Sequence, residues 1–229
     1  MIRILLLLIL STWASSALAE TPLRVAVAAN FRATLEQINE GYRAQGGPPI
    51  LLSSASTGVL ATQIRHGAPF DLFFSADRQT AVGLRQDGLG TEDRCYARGQ
   101  LVLVGGGLND LGNPANTLAI ANPLTAPYGR AAAEVMDRPE LAAATGRKPV
   151  RGTSVLQAFQ FWRAGAVDLA LVAQSLAPDA QPIPVDWYTP LQQHLLVLHP
   201  TTAVSAYLRW LGSDTVRQMI NDAGYQPCH

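Results

Sequence analysis

Charge is scarce in this chain. Only 15% of its 229 residues are Asp, Glu, Lys or Arg, and 17 basic residues balance 17 acidic ones. No bulk field steers a polyanion to such a surface, which argues against a nucleic-acid partner. With 48% apolar residues the composition is also not that of a disordered chain. The four histidines, His66, His194, His199 and His229, show neither H-E-x-x-H nor paired zinc spacing. No G-x-S-x-G elbow is present, and Gly105-Gly106-Gly107 follows a strand without completing a phosphate-loop or dinucleotide fingerprint. After the first residues no run is apolar enough to span a bilayer. A hydrolase, a zinc enzyme, a nucleotide-binding enzyme and a membrane-spanning protein are all disfavoured.

The N-terminus reads as an export signal. Arg3 supplies a positive start, Ile4 to Leu10 is an uninterrupted apolar run, and Ala17-Leu18-Ala19 gives small residues at both cleavage positions. Residues 1–19 are therefore expected to be a cleavable signal peptide, with periplasmic residence of the mature chain. No lipobox-like cysteine follows. The two cysteines, Cys95 and Cys228, would both reach an oxidising compartment, so a disulfide between them is the favoured reading, with two thiols the alternative.

Along the mature chain short apolar strands alternate with amphipathic helices. Leu23 to Ala28 reads as a strand, followed by a helix from Asn30 with Phe31, Leu35, Ile38 and Tyr42 on one face. Ile50 to Ser54, a helix carrying Val59, Leu60 and Ile64, Asp71 to Ser75 and a helix from Arg78 continue the order. Such βαβαβα succession implies a parallel, doubly wound sheet. A second set follows: strands at 100–104, 117–121, 168–173 and 195–198, with helices at 126–136 and 154–163. Segments 105–116 and 177–190 read as loops, and two helices close the chain at 201–211 and 213–223. The expectation is an α/β fold of two lobes, each a mainly parallel sheet flanked by helices, with the ligand cleft between them. The division is lobe 1 at 20–99 plus 200–229 and lobe 2 at 100–199.

Four small-residue turns precede helices: Ala28-Ala29-Asn30, Ser56-Thr57-Gly58, Thr125-Ala126-Pro127-Tyr128-Gly129 and Gly152-Thr153-Ser154-Val155. Helix starts present unpaired N–H groups and partial positive charge, and several aimed at one point hold an anion without Arg or Lys. Taken singly, Asn, Ser and Thr at helix starts are more often caps than ligand contacts. What points to a ligand is the set of four, in strand-to-helix order across both lobes.

The stretches VAVAANF, STGVLATQIRHGAPFDLFFSAD and LAIANPLTAPYGRAAAEVM, with the tail LRWLGSD…VRQMINDAGY, resemble the periplasmic molybdate-binding component of ABC transporters. The resemblance covers most of the mature chain. It implies the type II periplasmic binding-protein fold, capture of a tetrahedral oxyanion (molybdate, with tungstate and sulfate left open) and delivery to an inner-membrane ABC permease. Asn30, Thr57, Tyr128 and Val155 become the expected ligand contacts, the last two through backbone N–H, with Gly58 and Ala126 as weaker ones. The bound molybdenum would be held through its oxygens, without protein–metal coordination. No cofactor, no catalysis and a monomer are expected. Ala29 stands where some members carry Thr or Ser, and Ala173 where some carry a contacting Tyr.

Two alternatives follow from the residues. One is a two-lobed binding protein for sulfate, phosphate or a small carboxylate, although a carboxylate normally calls for an Arg that no turn supplies. The other is a periplasmic enzyme using Asp71 or Asp77, which flank the third strand. Capping and strand-end solvation are the expected roles of both acids. Arg65 and Arg130 are expected to face solvent or pair with acids.

Overall fold

A computed structural model describes residues 21–228, so the expected signal peptide lies outside the described residues. The strands are β1 (Leu23–Ala28), β2 (Ile50–Ala55), β3 (Leu72–Ser75), β4 (Glu92–Gly99), β5 (Leu101–Val104), β6 (Leu118–Ala121), β7 (Val150–Gly152), β8 (Leu169–Ala173), β9 (Gln181–Pro182) and β10 (Leu191–Val197). The helices are α1 (Arg32–Ala44), α2 (Thr57–Arg65), α3 (Arg78–Gln86), the single turn α4 (Leu108–Leu111), α5 (Pro127–Met136), α6 (Val155–Arg163), α7 (Thr202–Leu211) and α8 (Asp214–Asp222). Short 3₁₀ turns lie at Pro139–Ala144, Gln174–Leu176 and Val185–Trp187.

The strands form two five-stranded sheets, ordered β2-β1-β3-β10-β4 and β7-β6-β8-β5-β9. The sheets share one plan. β1 is flanked by parallel β2 and β3, and β6 by parallel β7 and β8. Each then adds an antiparallel strand, β10 beside β3 and β5 beside β8. β3, β5, β6 and β8 are buried along their whole length, as expected of strands covered on both faces. The mainly parallel α/β lobes read from the sequence are present.

The lobe division needs one change. Sequence order places β10 in the second lobe, yet it pairs with β3 and β4 in the first sheet. Its burial explains why hydropathy shows only half of it. Gln193 and His194 are buried within LQQHLLV, Gln193 by a hydrogen-bond network and His194 by Asp93, whose carboxylate is 3.1 Å from Nδ1. The polar half of this buried strand thus carries no apolar signal in the sequence. β4, with its half-exposed alternation, and the short β7 and β9 lack an apolar signal, and the expected loop at 105–116 contains α4.

The chain crosses between the sheets at Gln100, from β4 to β5, and returns through 183–190. The C-terminal segment lies beside the first crossing: Gln226 and Arg98 exchange two backbone hydrogen bonds of 2.8 and 2.9 Å. Cys95 and Cys228 form a disulfide with a Cα–Cα distance of 6.1 Å, which pins this segment to β4.

Candidate functional site

The carboxyl ends of β1, β2, β3, β6 and β7 face the junction of the lobes, the place where open α/β sheets bind ligands. A small chamber lies there, lined by Ala28, Ala29, Asn30, Ser56, Thr57 and Ala76 from one lobe and Ala126, Pro127, Tyr128 and Val155 from the other. Its volume is about 10 Å³, far below the roughly 300–1,000 Å³ typical of drug-sized ligands. All four turns singled out in the sequence contribute, and none of the lining residues carries a charge. The expected contacts Asn30, Thr57, Tyr128 and Val155 are each no more than 4% exposed.

Most of these helix starts are left uncapped by side chains. The N-cap residues of α1, α2 and α5 are Phe31, Ser56 and Ala126, and none makes a side-chain cap hydrogen bond. α6 differs, because the Ser154 hydroxyl accepts from Gln157 N–H. Tyr128 and Val155 sit in the first turns of α5 and α6, where a backbone N–H has no partner inside its helix. Pro127 at the first position of α5 fixes the start of that helix without sacrificing a bonded N–H.

The side chains divide by what they already hold. Thr57 Oγ1 accepts the N–H of Ala76 at 3.0 Å, which leaves its own proton to donate into the chamber. Ser56 Oγ is buried with no hydrogen-bond partner. A buried orphan hydroxyl costs roughly 1–3 kcal/mol, so its place in the lining makes it a candidate ligand donor. In the sequence Ser56 is only part of a turn, because a Ser before a helix is indistinguishable from a cap.

Asn30 is different from the expectation. Its amide nitrogen donates to Gln193 Oε1 at 2.8 Å and to Tyr225 Oη at 3.0 Å, so the side-chain protons are engaged inside the protein. Tyr225 Oη in turn lies 2.8 Å from the Asn30 carbonyl, which also accepts from Ser175 Oγ. Gln193 Nε2 donates to Tyr128 Oη, and Tyr96 donates to Gln193 Oε1. A buried polar network therefore ties α5 of the second lobe to β10, β4 and the C-terminus of the first, directly behind the chamber. Burial, above all, pushes the Tyr96 and Tyr128 hydroxyls well above their ordinary pKa, and neighbouring tyrosines add to this. Tyr225 is pushed up by the same burial, against the opposing hydrogen bonds of Ser175 and Asn30.

The weaker contacts fare less well as donors. Gly58 N–H donates to Thr125 O at 2.8 Å, across the lobes, and Gly58 does not line the chamber. Ala126 lines it, but its N–H donates to Asn122 O. Neither acid of the enzyme alternative reaches the chamber. Asp71 accepts the N–H of Arg24, and Asp77 caps α3 through Thr80 N–H and pairs with Arg130. Arg65 pairs with Asp87. Ala173, where the resemblance implies a contacting Tyr in some members, is fully buried in β8. Among the described residues no group of three His, Cys, Asp or Glu is placed to hold a metal ion, and no helix is long and apolar enough to cross a membrane.

The profile of the bacterial extracellular solute-binding protein family matches residues 23–226. The molybdate-binding protein ModA of Azotobacter vinelandii is 34% identical over 223 residues, covering 88% of each chain. ModA of Rhodobacter capsulatus is 32% identical over 217 residues, covering 87% of this chain and 86% of the relative. Among solved structures, the periplasmic molybdate-binding protein of Azotobacter vinelandii superposes with a TM-score of 0.82 at 30% identity, over 90% of this chain and all of that one.

Proposed function

The chain belongs to the bacterial extracellular solute-binding protein family, and on that premise we propose that it captures molybdate, or the similar tungstate, in the periplasm for import by an inner-membrane ABC permease. The observation that carries this reading is the small, charge-free chamber where helix starts from both lobes converge. The identity to two proteins named for molybdate binding supports the choice of oxyanion.

Binding as proposed is a non-covalent capture and needs no cofactor. The dianion gives up its water and receives backbone N–H donors of Tyr128 and Val155 and hydroxyl donors of Ser56 and Thr57. The partial positive charge of the helix starts compensates its charge. Hydrogen bonds to a charged group contribute roughly 1.5–3 kcal/mol each. Several of them exceed what a micromolar site requires, about 8 kcal/mol, and dehydration of the dianion consumes the surplus. A chamber of donors with no carboxylate in its lining favours a fully ionised oxyanion. Phosphate keeps a proton near neutrality, and that proton finds no carboxylate to accept it. In this reading Asn30 acts mainly by positioning: its amide holds the network that sets the first turn.

Ser56→Ala tests the donor set. By the loss of one hydrogen bond to the anion, affinity for molybdate is expected to fall roughly tenfold or more. The melting temperature of the unliganded protein is expected to hold or rise, because the buried hydroxyl has no partner in the protein and its removal relieves an unsatisfied polar group. Calorimetric titration alongside a thermal melt reads both; unchanged affinity would remove Ser56 from the site.

A second expectation concerns pH. The tyrosines of the network have pKa values raised above an already high ordinary value, so they stay protonated below it. Molybdate affinity is expected to vary less than about threefold between pH 7 and 9 in titrations at fixed ionic strength. A steep loss toward pH 9 would mean that the network titrates and that its tyrosine hydroxyls are not held as described.

A further inference from the structure

We propose that Gly58 is a positioning residue for lobe closure, and that its missing side chain lets the two lobes meet over the chamber. The turn before α2 in the first lobe and the turn before α5 in the second touch through backbone: Gly58 N–H donates to Thr125 O at 2.8 Å. A Cβ at Gly58 would lie 2.9 Å from that oxygen and 3.1 Å from Thr125 Cα. Both are backbone atoms of the opposite lobe, so no side chain can swing aside to relieve the contact. Along the same seam, Asp77 of the first lobe pairs with Arg130 of the second. Backbone clasp and ion pair thus close one side of the cleft, while the Gln193–Tyr128 hydrogen bond lies on the network side.

The chemistry explains why glycine stands at a position that its backbone does not demand. Gly58 lies inside α2 and does not have the positive φ of the turn glycines, so conformational freedom is not the reason for it. An alanine there would be the better helix former. The requirement arises only when the lobes come together. Gly58→Ala therefore leaves each lobe intact and opposes their closed arrangement. This role for Gly58 rests on the reading of the cleft as a capture site that closes over its ligand. It adds which backbone contact limits the release rate.

The test compares wild type, Gly58→Ala, Arg130→Gln and, as a control, Gly83→Ala, since a Cβ at Gly83 meets nothing within 4 Å. Spin labels are attached at Gln86→Cys in the first lobe and Asp137→Cys in the second, and interlobe distances are measured with and without molybdate. Stopped-flow fluorescence gives association and dissociation rates. Gly58→Ala is expected to reduce the closed, short-distance population and to raise the dissociation rate about tenfold or more, with association changed less than about threefold. Arg130→Gln should move both in the same direction by a smaller factor, and Gly83→Ala should leave both unchanged. Equal closed populations and dissociation rates in Gly58→Ala and wild type would overturn the clasp. Failure of wild type to bind molybdate would overturn the functional reading alone, because the unliganded distance distributions still decide whether Gly58 governs closure.

Discussion

Val155→Pro is expected to lower molybdate affinity by about 10- to 150-fold, the equivalent of one charge-assisted hydrogen bond, while leaving the fold intact. Val155 is the first residue of α6, and proline is well tolerated at that position because no intrahelical hydrogen bond is lost. The preceding residue also suits it: Ser154 is extended, with φ −147° and ψ 168°, as a residue before proline prefers. What the substitution removes is the backbone N–H at the start of α6 that is proposed to donate to the anion. Val155→Ala is the matched control, because it trims the side chain and keeps the donor. It should bind within about threefold of wild type, so that calorimetry on the pair separates the backbone donor from side-chain packing. If proline and alanine bind alike, the α6 start is not part of the site.

Removing the disulfide is expected to have the largest effect on stability. The bond joins residues separated by 133 positions, and closing so long a loop in the unfolded chain is worth up to about 5 kcal/mol on the chain-entropy account. Removal of a native disulfide typically costs about 2–5 kcal/mol, which in a domain of this size lowers the melting temperature by roughly 5–20 °C. The Cys95→Ser, Cys228→Ser double variant, or wild type under strong reductant, should show that fall by calorimetry. Affinity should also weaken several-fold. The bond anchors the segment that carries Tyr225, and Tyr225 holds both the amide and the carbonyl of Asn30. An unchanged melting temperature would mean that the C-terminus is held by its backbone pairing with Arg98 and by the burial of Tyr225, without need of the bond.

Much of this architecture is legible in the sequence because its central parallel strands, β1, β3, β6 and β8, are largely buried. LRVAVA, TLAIA and DLALVA announce themselves by hydropathy, and each of the first two leads into a helix with a clear apolar face. The four turns are legible for the same reason, as small residues between a strand end and a helix start. The rest depends on partners far away in the chain. From hydropathy β10 begins only at Leu195, since nothing local indicates that Gln193 is buried by Asn30, Tyr96 and Tyr128. Asn30 reads as a direct donor because its partners lie 163 and 195 residues away. Ser56 and Gly58 mislead in opposite senses. Ser56 resembles an ordinary cap until its hydroxyl is found without a partner, and Gly58 resembles a ligand contact until its N–H is found bonded across the lobes.

The most direct test of the proposal is calorimetric titration of residues 20–229 with molybdate, tungstate, sulfate and phosphate at one ionic strength. Micromolar or tighter binding of molybdate and tungstate is expected, with sulfate and phosphate much weaker. Absence of heat from molybdate and tungstate, or equal binding of protonated phosphate, would contradict a chamber built for a fully ionised tetrahedral oxyanion.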